Sequence, residues 1–197
     1  MSEKELIING FKYIRADEKK EYKIGDIIEY NNYSWYIIKV NNDDVTLMMK
    51  DALDEEKIKK YFTDKNYLDD DNDVMFNIDL TNFDYNDTYI KKVLNSTFLE
   101  EFNKNELNLM RTNYDEDKYS EDYIRIPTIR EIEKLDFSIR KCISSYWTMS
   151  PANFNLNLTS AYVWSVDSTG NLGYIWTTYA YGVRPVISLK YKNTIYK

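Results

Sequence analysis

Short β-rich runs lie at both ends of the sequence, and helical patterns lie between them. The first group of runs, residues 23–51, is broken by Asn-Asn and by Asn-Asn-Asp-Asp, which form turns because they tolerate left-handed backbone. The last group begins near residue 144 and includes the turn sequence at 167–171. This order of strands, helices and strands predicts an α+β domain with mixed or antiparallel twisted sheets and two to four packed helices.

The middle strand of the first group, residues 33–40, has apolar side chains on both faces, which is typical of a strand covered on both sides. We therefore expect Trp35 to lie in the core, and we expect a structural role for Trp147 and Trp164 as well. Strict alternation predicts two faces for the strand: Trp35, Ile37 and Lys39 on one, and Tyr36, Ile38 and Val40 on the other.

Three helical patterns occupy the middle of the chain. Residues 52–62 suit a short amphipathic helix, and residues 86–110 repeat apolar side chains at a helical period. Thr128 and Glu131 have the spacing of a capping box and predict a third helix.

The chain has 197 residues, enough for one domain with its own core. We expect that domain to cover residues 23–190, with a polar extension at 1–22 and a tail at 191–197. Residues 63–84 are polar and acidic with scattered aromatic side chains, and they predict an inserted long loop.

The sequence contains no histidine and a single cysteine, Cys142. The commonest general base, the usual catalytic triads and most zinc sites are therefore excluded. The five glycines form no phosphate-binding fingerprint, and no pair of carboxylates is marked out by its context. We expect a protein without enzymatic activity and without a cofactor or metal; a carboxylate-only or metal-assisted enzyme is a third alternative.

The formal net charge is −7. An acidic surface repels phosphate backbones and anionic lipids, so we expect no direct binding to nucleic acid and no membrane association. The sequence shows neither an apolar run of membrane-spanning length nor a basic segment followed by an apolar leader. We therefore expect a cytoplasmic protein.

An acidic run lies inside the insertion and consists of Asp69, Asp70, Asp71, Asn72 and Asp73. Calcium binding is disfavoured, because Val74 stands where an EF-hand loop needs glycine and Leu80 where it needs glutamate. A solvated acidic loop is the favoured interpretation. The alternative is that these aspartates imitate nucleic acid against a basic groove of another protein.

Six sequence elements occur in an order that resembles a large, poorly characterised bacterial domain family. They are "GDIIEYNNYSWYIIKV", "IKKVLNSTFLEEF", "IPTIREIEKL", "YWTMSP", "VWSVDSTGNLG" and "GVRPVISL". Members of that family show a W-x-V-L strand, a helix ending in W-L-N, a Y-W-L-R-S-P element and a C-terminal G-V-R-P strand. The family is similar to the C-type-lectin-like fold of formylglycine-generating enzymes and of the variable ligand-binding proteins of diversity-generating systems. The resemblance covers residues 23–190 and implies a C-type-lectin-like fold.

The departures from these families limit what the resemblance implies. Thr148 and Met149 stand where the family has Leu and Arg, so the contact made by that Arg is missing. A formylglycine-generating enzyme needs reactive cysteines, and Cys142 alone does not meet that need. Lectin-type calcium sites use Glu-Pro-Asn or Gln-Pro-Asp loops with a Trp-Asn-Asp strand, and none occurs here. We therefore expect neither the oxidase activity nor calcium-dependent sugar binding.

Arg184 lies inside an otherwise apolar strand, between Gly182-Val183 and Pro185. We expect it to be structural, with its guanidinium satisfying loop carbonyls or a carboxylate such as Asp167.

The nineteen tyrosines and four tryptophans exceed what a core of this size needs, and binding faces prefer such amphipathic rings. A low-GC genome would produce the same bias without a function. Folds of the type that the resemblance implies bind through C-terminal loops. We therefore predict a ligand-binding face built from Trp176, Tyr179, Tyr181, Asn153, Asn155 and Asn157. In the alternative interpretation, the Asn-rich loop is merely pinned by its apolar members.

The favoured function is a non-enzymatic, protein-binding module of bacterial, phage or mobile-element origin. The alternative is an inhibitor of a host defence complex, of the anti-CRISPR or anti-restriction type, in which the acidic residues Asp69, Asp70, Asp71 and Asp73 make the contact. Strong salt dependence of binding would favour this alternative.

Overall fold

The computed structural model describes residues 6–8, 11–13, 22–79, 81–112, 114–115, 118–119, 122–152 and 161–190. Its strands are β1 (Leu6–Ile8), β2 (Phe11–Tyr13), β3 (Ile27–Tyr30), β4 (Tyr33–Val40), β5 (Asp44–Met49), β6 (Val74–Met75), β7 (Met110–Arg111), β8 (Tyr114–Asp115), β9 (Lys118–Tyr119), β10 (Ile124–Arg125), β11 (Tyr146–Pro151), β12 (Tyr162–Val166), β13 (Leu172–Trp176), β14 (Ala180–Tyr181) and β15 (Val186–Lys190). The α-helices are α1 (Glu55–Tyr61), α2 (Tyr89–Leu94), α3 (Lys104–Leu109), α4 (Ile129–Glu133) and α5 (Phe137–Arg140). Short 3-10 helices lie at Lys65–Tyr67, Tyr85–Asp87 and Leu99–Glu101. The named strands pair antiparallel, so the predicted α+β class with antiparallel sheets is confirmed.

The largest sheet has the strand order β10-β15-β5-β4-β3, and β7 also pairs with β15. The predicted three-stranded meander is confirmed as β3, β4 and β5. The C-terminal strand β15 lies between β5 and β10, so it joins the two ends of the domain in one sheet. Near the N-terminus, β1 and β2 form a separate antiparallel pair inside the predicted extension.

Both faces of this sheet are covered. On one face, Trp35 and Leu47 are fully buried in the larger hydrophobic cluster, and on the other face Met48 and Val186 are fully buried in a second cluster. The prediction that the strand 33–40 is covered on both sides is therefore confirmed. Burying a large apolar side chain contributes about 1.5–3 kcal/mol relative to exposure, so a two-sided sheet is a rigid base for the surface around it.

A β-bulge corrects the predicted faces of β4. The register passes from the pair Ile37 and Leu47 directly to the pair Lys39 and Thr46, so Ile38 is an extra residue. Residues directly opposite each other share a face, so Lys39 lies with Thr46 on the side opposite to Ile37. The expectation that Lys39 shares a face with Trp35 and Ile37 was therefore wrong. The expectation that Val40 shares a face with Tyr36 and Ile38 was wrong as well. Both fail because strict alternation of side chains does not continue through a bulge.

The described chain has five short α-helices rather than two to four, because the pattern at 86–110 forms two helices, α2 and α3, and because α5 was not predicted. The Asn95 side chain caps the end of α2, donating to the Lys91 carbonyl and to the Ile124 carbonyl at 2.7 Å. Asn103 then begins α3 with a capping box that includes Glu106. The predicted capping box of Thr128 and Glu131 is confirmed at the start of α4.

A second sheet, with the order β11-β12-β13, lies at the C-terminal part of the domain. The short strand β14 leaves this region and pairs with β6, which belongs to the predicted insertion. The insertion is therefore tied to the segment that follows β13. Among the described residues, no helix has both the length and the apolar character needed to cross a membrane.

Candidate functional site

Five aromatic side chains, three of them exposed and two half-buried, form one continuous surface on β12, β13 and the turn after them. We call this surface the aromatic face; its members are Tyr162, Trp164, Tyr174, Trp176 and Tyr179. In the register of the two strands, Tyr162 lies opposite Trp176, and Trp164 lies opposite Tyr174. Tyr174 is 51% exposed, Tyr179 48% and Trp176 41%, so these three rings are accessible to solvent, whereas Tyr162 and Trp164 are half-buried.

The rings hold each other in edge-on and tilted contacts. The centroid distances are 5.7 Å between Trp164 and Tyr174, 5.8 Å between Tyr162 and Tyr174, and 6.1 Å between Tyr162 and Trp176. Tyr179 extends the row by contacting Trp176 at 5.9 Å. Such pairs contribute about 0.5–1.5 kcal/mol each beyond their buried area. The aromatic face is therefore a preorganised platform rather than a set of separate mobile rings.

A tight turn sets the register of β12 and β13. One carboxylate oxygen of Asp167 accepts hydrogen bonds from the backbone N–H of Thr169 at 2.8 Å and of Asn171 at 3.0 Å. Hydrogen bonding by the Thr169 hydroxyl, and then by groups of Asn171, lowers the pKa of Asp167 to about 2. Gly170 has a φ of +94°, the left-handed region where a side chain is strained. This local chemistry sets the cross-strand ring pairs of the aromatic face.

The opposite side of the same sheet is anchored in the larger hydrophobic cluster. Val163 is fully buried, and Ile175 packs partly against that cluster. Trp147 on β11 is also fully buried, and its indole N–H donates to the Val74 carbonyl at 2.6 Å. The sheet is therefore fixed from behind, while its front carries the aromatic face.

The structure brings together only part of the predicted ligand-binding set. Trp176 and Tyr179 lie side by side on the aromatic face. Tyr181 is half-buried in β14 and packs against Trp147, with a centroid distance of 5.0 Å. The remaining members of the predicted set lie outside the described residues; they are Asn153, Asn155 and Asn157.

Tyr162, Trp164 and Tyr174 are the members of the aromatic face that the sequence prediction did not include. Trp164 was assigned a structural role together with Trp35 and Trp147. It is half-buried on the aromatic face, whereas the other two tryptophans are fully buried. Aromatic side chains occupy every second position in the strands on both sides of the turn at 167–171. This alternation was the signal in the sequence that could have identified these three rings.

Arg184 is fully buried and acts as a junction between separate chain segments. Its Nε donates to the Met49 carbonyl at 2.8 Å, and one terminal nitrogen donates to the carbonyls of Lys50 at 2.7 Å and Ile139 at 3.0 Å. The other terminal nitrogen donates to the Arg140 carbonyl at 3.1 Å and to the Tyr146 hydroxyl at 3.0 Å. These partners correspond to the carbonyl alternative of the prediction and not to Asp167.

The acidic run forms a defined turn. The Asp69 carboxylate accepts from the backbone N–H of Asp71 at 3.1 Å and of Asp73 at 2.8 Å. Leu68 and Val74 form a bridge that closes the turn. Burial, and then the charges of Asp69 and Asp71, raise the pKa of Asp73. The aspartates are therefore held close enough to repel one another.

A polar cleft of about 600 Å³ lies at one end of the largest sheet. Its walls carry two ion pairs, Arg111 with Asp44 and Arg125 with Glu131, so much of its charge is internally compensated. Burial by itself would raise the pKa of Glu131, but the charge and hydrogen bonds of Arg125 outweigh it, and the pKa is lowered. Across the described part of the chain, no group of three acidic or cysteine side chains is placed to hold a metal ion.

Comparisons of the chain with protein-family models, with curated proteins and with solved structures found no match.

Proposed function

We propose that this protein is a non-enzymatic, protein-binding module and that the aromatic face is its recognition surface. The observation that carries the proposal is the row of five mutually contacting rings on the outer side of a sheet whose inner side is buried. Tyrosine and tryptophan are the residues that most often dominate protein interfaces, because they bury a large area for few rotatable bonds.

The packing of the core supports this assignment. The fully buried aromatic positions are filled by other side chains, including Trp35, Trp147 and Phe98. Among the described residues, the rings of the aromatic face belong to neither of the two hydrophobic clusters. Exposed apolar surface of this kind marks interaction sites when it is contiguous.

The C-type-lectin-like architecture and the bacterial or phage origin belong to the same proposal. They rest on the order of the six sequence motifs, which ends with the strand that contains Arg184. Folds of that type bind through C-terminal loops, and Tyr179 lies in the turn that follows β13. Inhibition of a host defence complex stays a prediction from the sequence.

The test is an affinity capture from cells of the source organism or its host, comparing wild type with the double variant Trp176→Ala, Tyr179→Ala. The control is Ile143→Ala, because Ile143 is 85% exposed and lies outside the aromatic face. We expect a partner that wild type and the control enrich and that the ring variant loses by at least about tenfold. Circular dichroism and thermal melting confirm that the variants are folded. Equal enrichment by wild type and the ring variant would contradict the proposal.

A further inference from the structure

The negative charge of the protein is concentrated in one segment. Residues 64–87 contain eight aspartates and one lysine, so this segment carries −7, the entire formal net charge of the chain. The totals of 33 acidic and 26 basic side chains leave 25 of each elsewhere. Acidic side chains that serve only solubility are expected to be spread over the surface rather than concentrated in one segment. We call residues 64–87 the acidic segment.

The acidic segment is fixed directly beside the aromatic face. Met75 pairs with Ala180 and Val74 pairs with Tyr181, which places β6 along the chain that leaves Tyr179. Further along, the backbone N–H of Asn77 donates to the Thr177 carbonyl at 3.0 Å, and the Thr177 hydroxyl donates to the Asp79 carbonyl at 3.2 Å. Thr177 is the residue after Trp176, so the two surfaces share a border.

Three carboxylates of the acidic segment lie in the turn that precedes β6, where Val74 pairs with Tyr181, and none of them holds that turn together. Those of Asp70, Asp71 and Asp73 accept no hydrogen bond from the described residues, in contrast to the carboxylate of Asp69, which holds the turn. Asp70 and Asp71 are exposed, and Asp73 is half-buried. A cationic group placed here would relieve their mutual repulsion.

Aromatic rings next to carboxylates match the chemistry of arginine. A guanidinium stacks on tyrosine and tryptophan faces and at the same time donates hydrogen bonds to carboxylates. A lysine ammonium provides the charge but not the planar stacking surface. A surface that is aromatic on one side and acidic on the other therefore selects for basic side chains, with arginine preferred.

We propose that the partner presents an arginine-rich basic segment, which lies across the aromatic face with its cationic groups directed to the acidic segment. This inference rests on the proposed function, because it assigns a partner chemistry to the same surface. It also makes the aromatic and acidic surfaces two halves of one interface.

The experiment measures fluorescence anisotropy of a labelled peptide of roughly nine residues with alternating arginine and serine, against the same peptide with lysine or glutamate in place of arginine. Two variants are compared with wild type: Trp176→Ala, Tyr179→Ala, and the neutralised variant Asp70→Asn, Asp71→Asn, Asp73→Asn. Asp69 is kept in both, so the turn is preserved. We expect binding of the arginine peptide, weaker binding of the lysine peptide and none of the glutamate peptide.

The ring variant should lose about tenfold in affinity for the arginine peptide. The neutralised variant should lose about fivefold at about 50 mM salt and less at about 500 mM, because screening shortens the reach of these charges. The matched control is Asp43→Asn, Asp51→Asn, Glu133→Gln, which removes the same charge from exposed sites outside the acidic segment and should bind as wild type does.

Two results would overturn the inference while leaving the proposed function intact, provided that the ring variant still loses its partner in the affinity capture. One is failure of wild type to bind the arginine peptide. The other is peptide binding that falls equally in the neutralised variant and in its matched control but not in the ring variant, which would indicate general charge attraction. Loss of neither the partner nor the peptide in the ring variant would overturn both.

Discussion

Replacing Arg184 with methionine is expected to remove a large part of the stability of the domain. The guanidinium is fully buried and donates five hydrogen bonds, four of them to backbone carbonyls. Two of these carbonyls belong to Met49 and Lys50 at the end of β5, and two belong to Ile139 and Arg140 in α5. One side chain therefore joins the largest sheet to the helix that covers it.

The magnitude follows from the partners that the substitution leaves behind. A hydrogen bond to a charged donor contributes about 1.5–3 kcal/mol, and a buried acceptor left without its donor costs about 1–3 kcal/mol. Water and small backbone shifts would satisfy some of the carbonyl groups that lose their donor. We therefore expect Arg184→Met to lower the free energy of unfolding by at least about 4 kcal/mol. Domains of this size have a free energy of unfolding of about 5–15 kcal/mol. Arg184→Lys retains a charge but has a single nitrogen, so we expect a cost of about 2 kcal/mol.

Urea denaturation, followed by circular dichroism and tryptophan fluorescence, measures both effects. With a denaturant slope of about 2 kcal/mol per molar, Arg184→Lys should lower the midpoint by about 1 M and Arg184→Met by about 2 M or more. The control is Lys134→Met, which also replaces a basic side chain with methionine but at an exposed position. It should change stability by less than about 0.5 kcal/mol. A midpoint for Arg184→Met within about 0.3 M of wild type would refute the assignment of Arg184 as a junction.

Three further substitutions test single contacts elsewhere in the domain. Glu131→Gln should destabilise the protein by about 2 kcal/mol at pH 7, since it removes the charge that pairs with Arg125. Because the pKa of Glu131 is lowered on folding, this stabilisation is present above the ordinary value of 4.5 and is lost as the pH falls through the folded pKa; denaturation curves of wild type and variant should converge there. Trp147→Phe should cost about 2 kcal/mol in chemical denaturation, because the Val74 carbonyl loses its buried donor. Gly182→Ala should lower the melting temperature, since the added carbon would lie 2.7 Å from a serine hydroxyl oxygen and 3.0 Å from a backbone carbonyl oxygen.

The sequence was sufficient to predict those elements whose structure depends on residues that are neighbours in the chain. The meander of β3, β4 and β5 follows from Asn-rich turns, and the start of α4 follows from the Thr128 and Glu131 spacing. The pattern at 86–110 misleads in part because its interruption involves a distant partner: Asn95 bonds to Ile124 on β10, whereas the capping box of Asn103 and Glu106 is a local signal. A pattern read along one stretch of chain does not contain that contact.

The candidate site was predictable only in part for the same reason. Trp176 and Tyr179 were found because they precede the last strand. Tyr162 and Tyr174 require the register across the turn at 167–171, which the turn hydrogen bonds of Asp167 determine. The contacts of Tyr181 were not predictable from the sequence, because its pairing with Val74 joins segments more than a hundred residues apart.

The arrangement of the rings bears on the origin of the aromatic surplus. A bias in codon usage acts on every part of a chain alike, so it accounts for the number of tyrosines but not for five rings in contact on the outer side of one sheet. The same holds for charge, because solubility alone does not confine −7 to residues 64–87. The pairing of β6 with β14 then brings the two concentrations together. The acidic segment and the aromatic face are therefore adjacent, and the interface that we infer includes both.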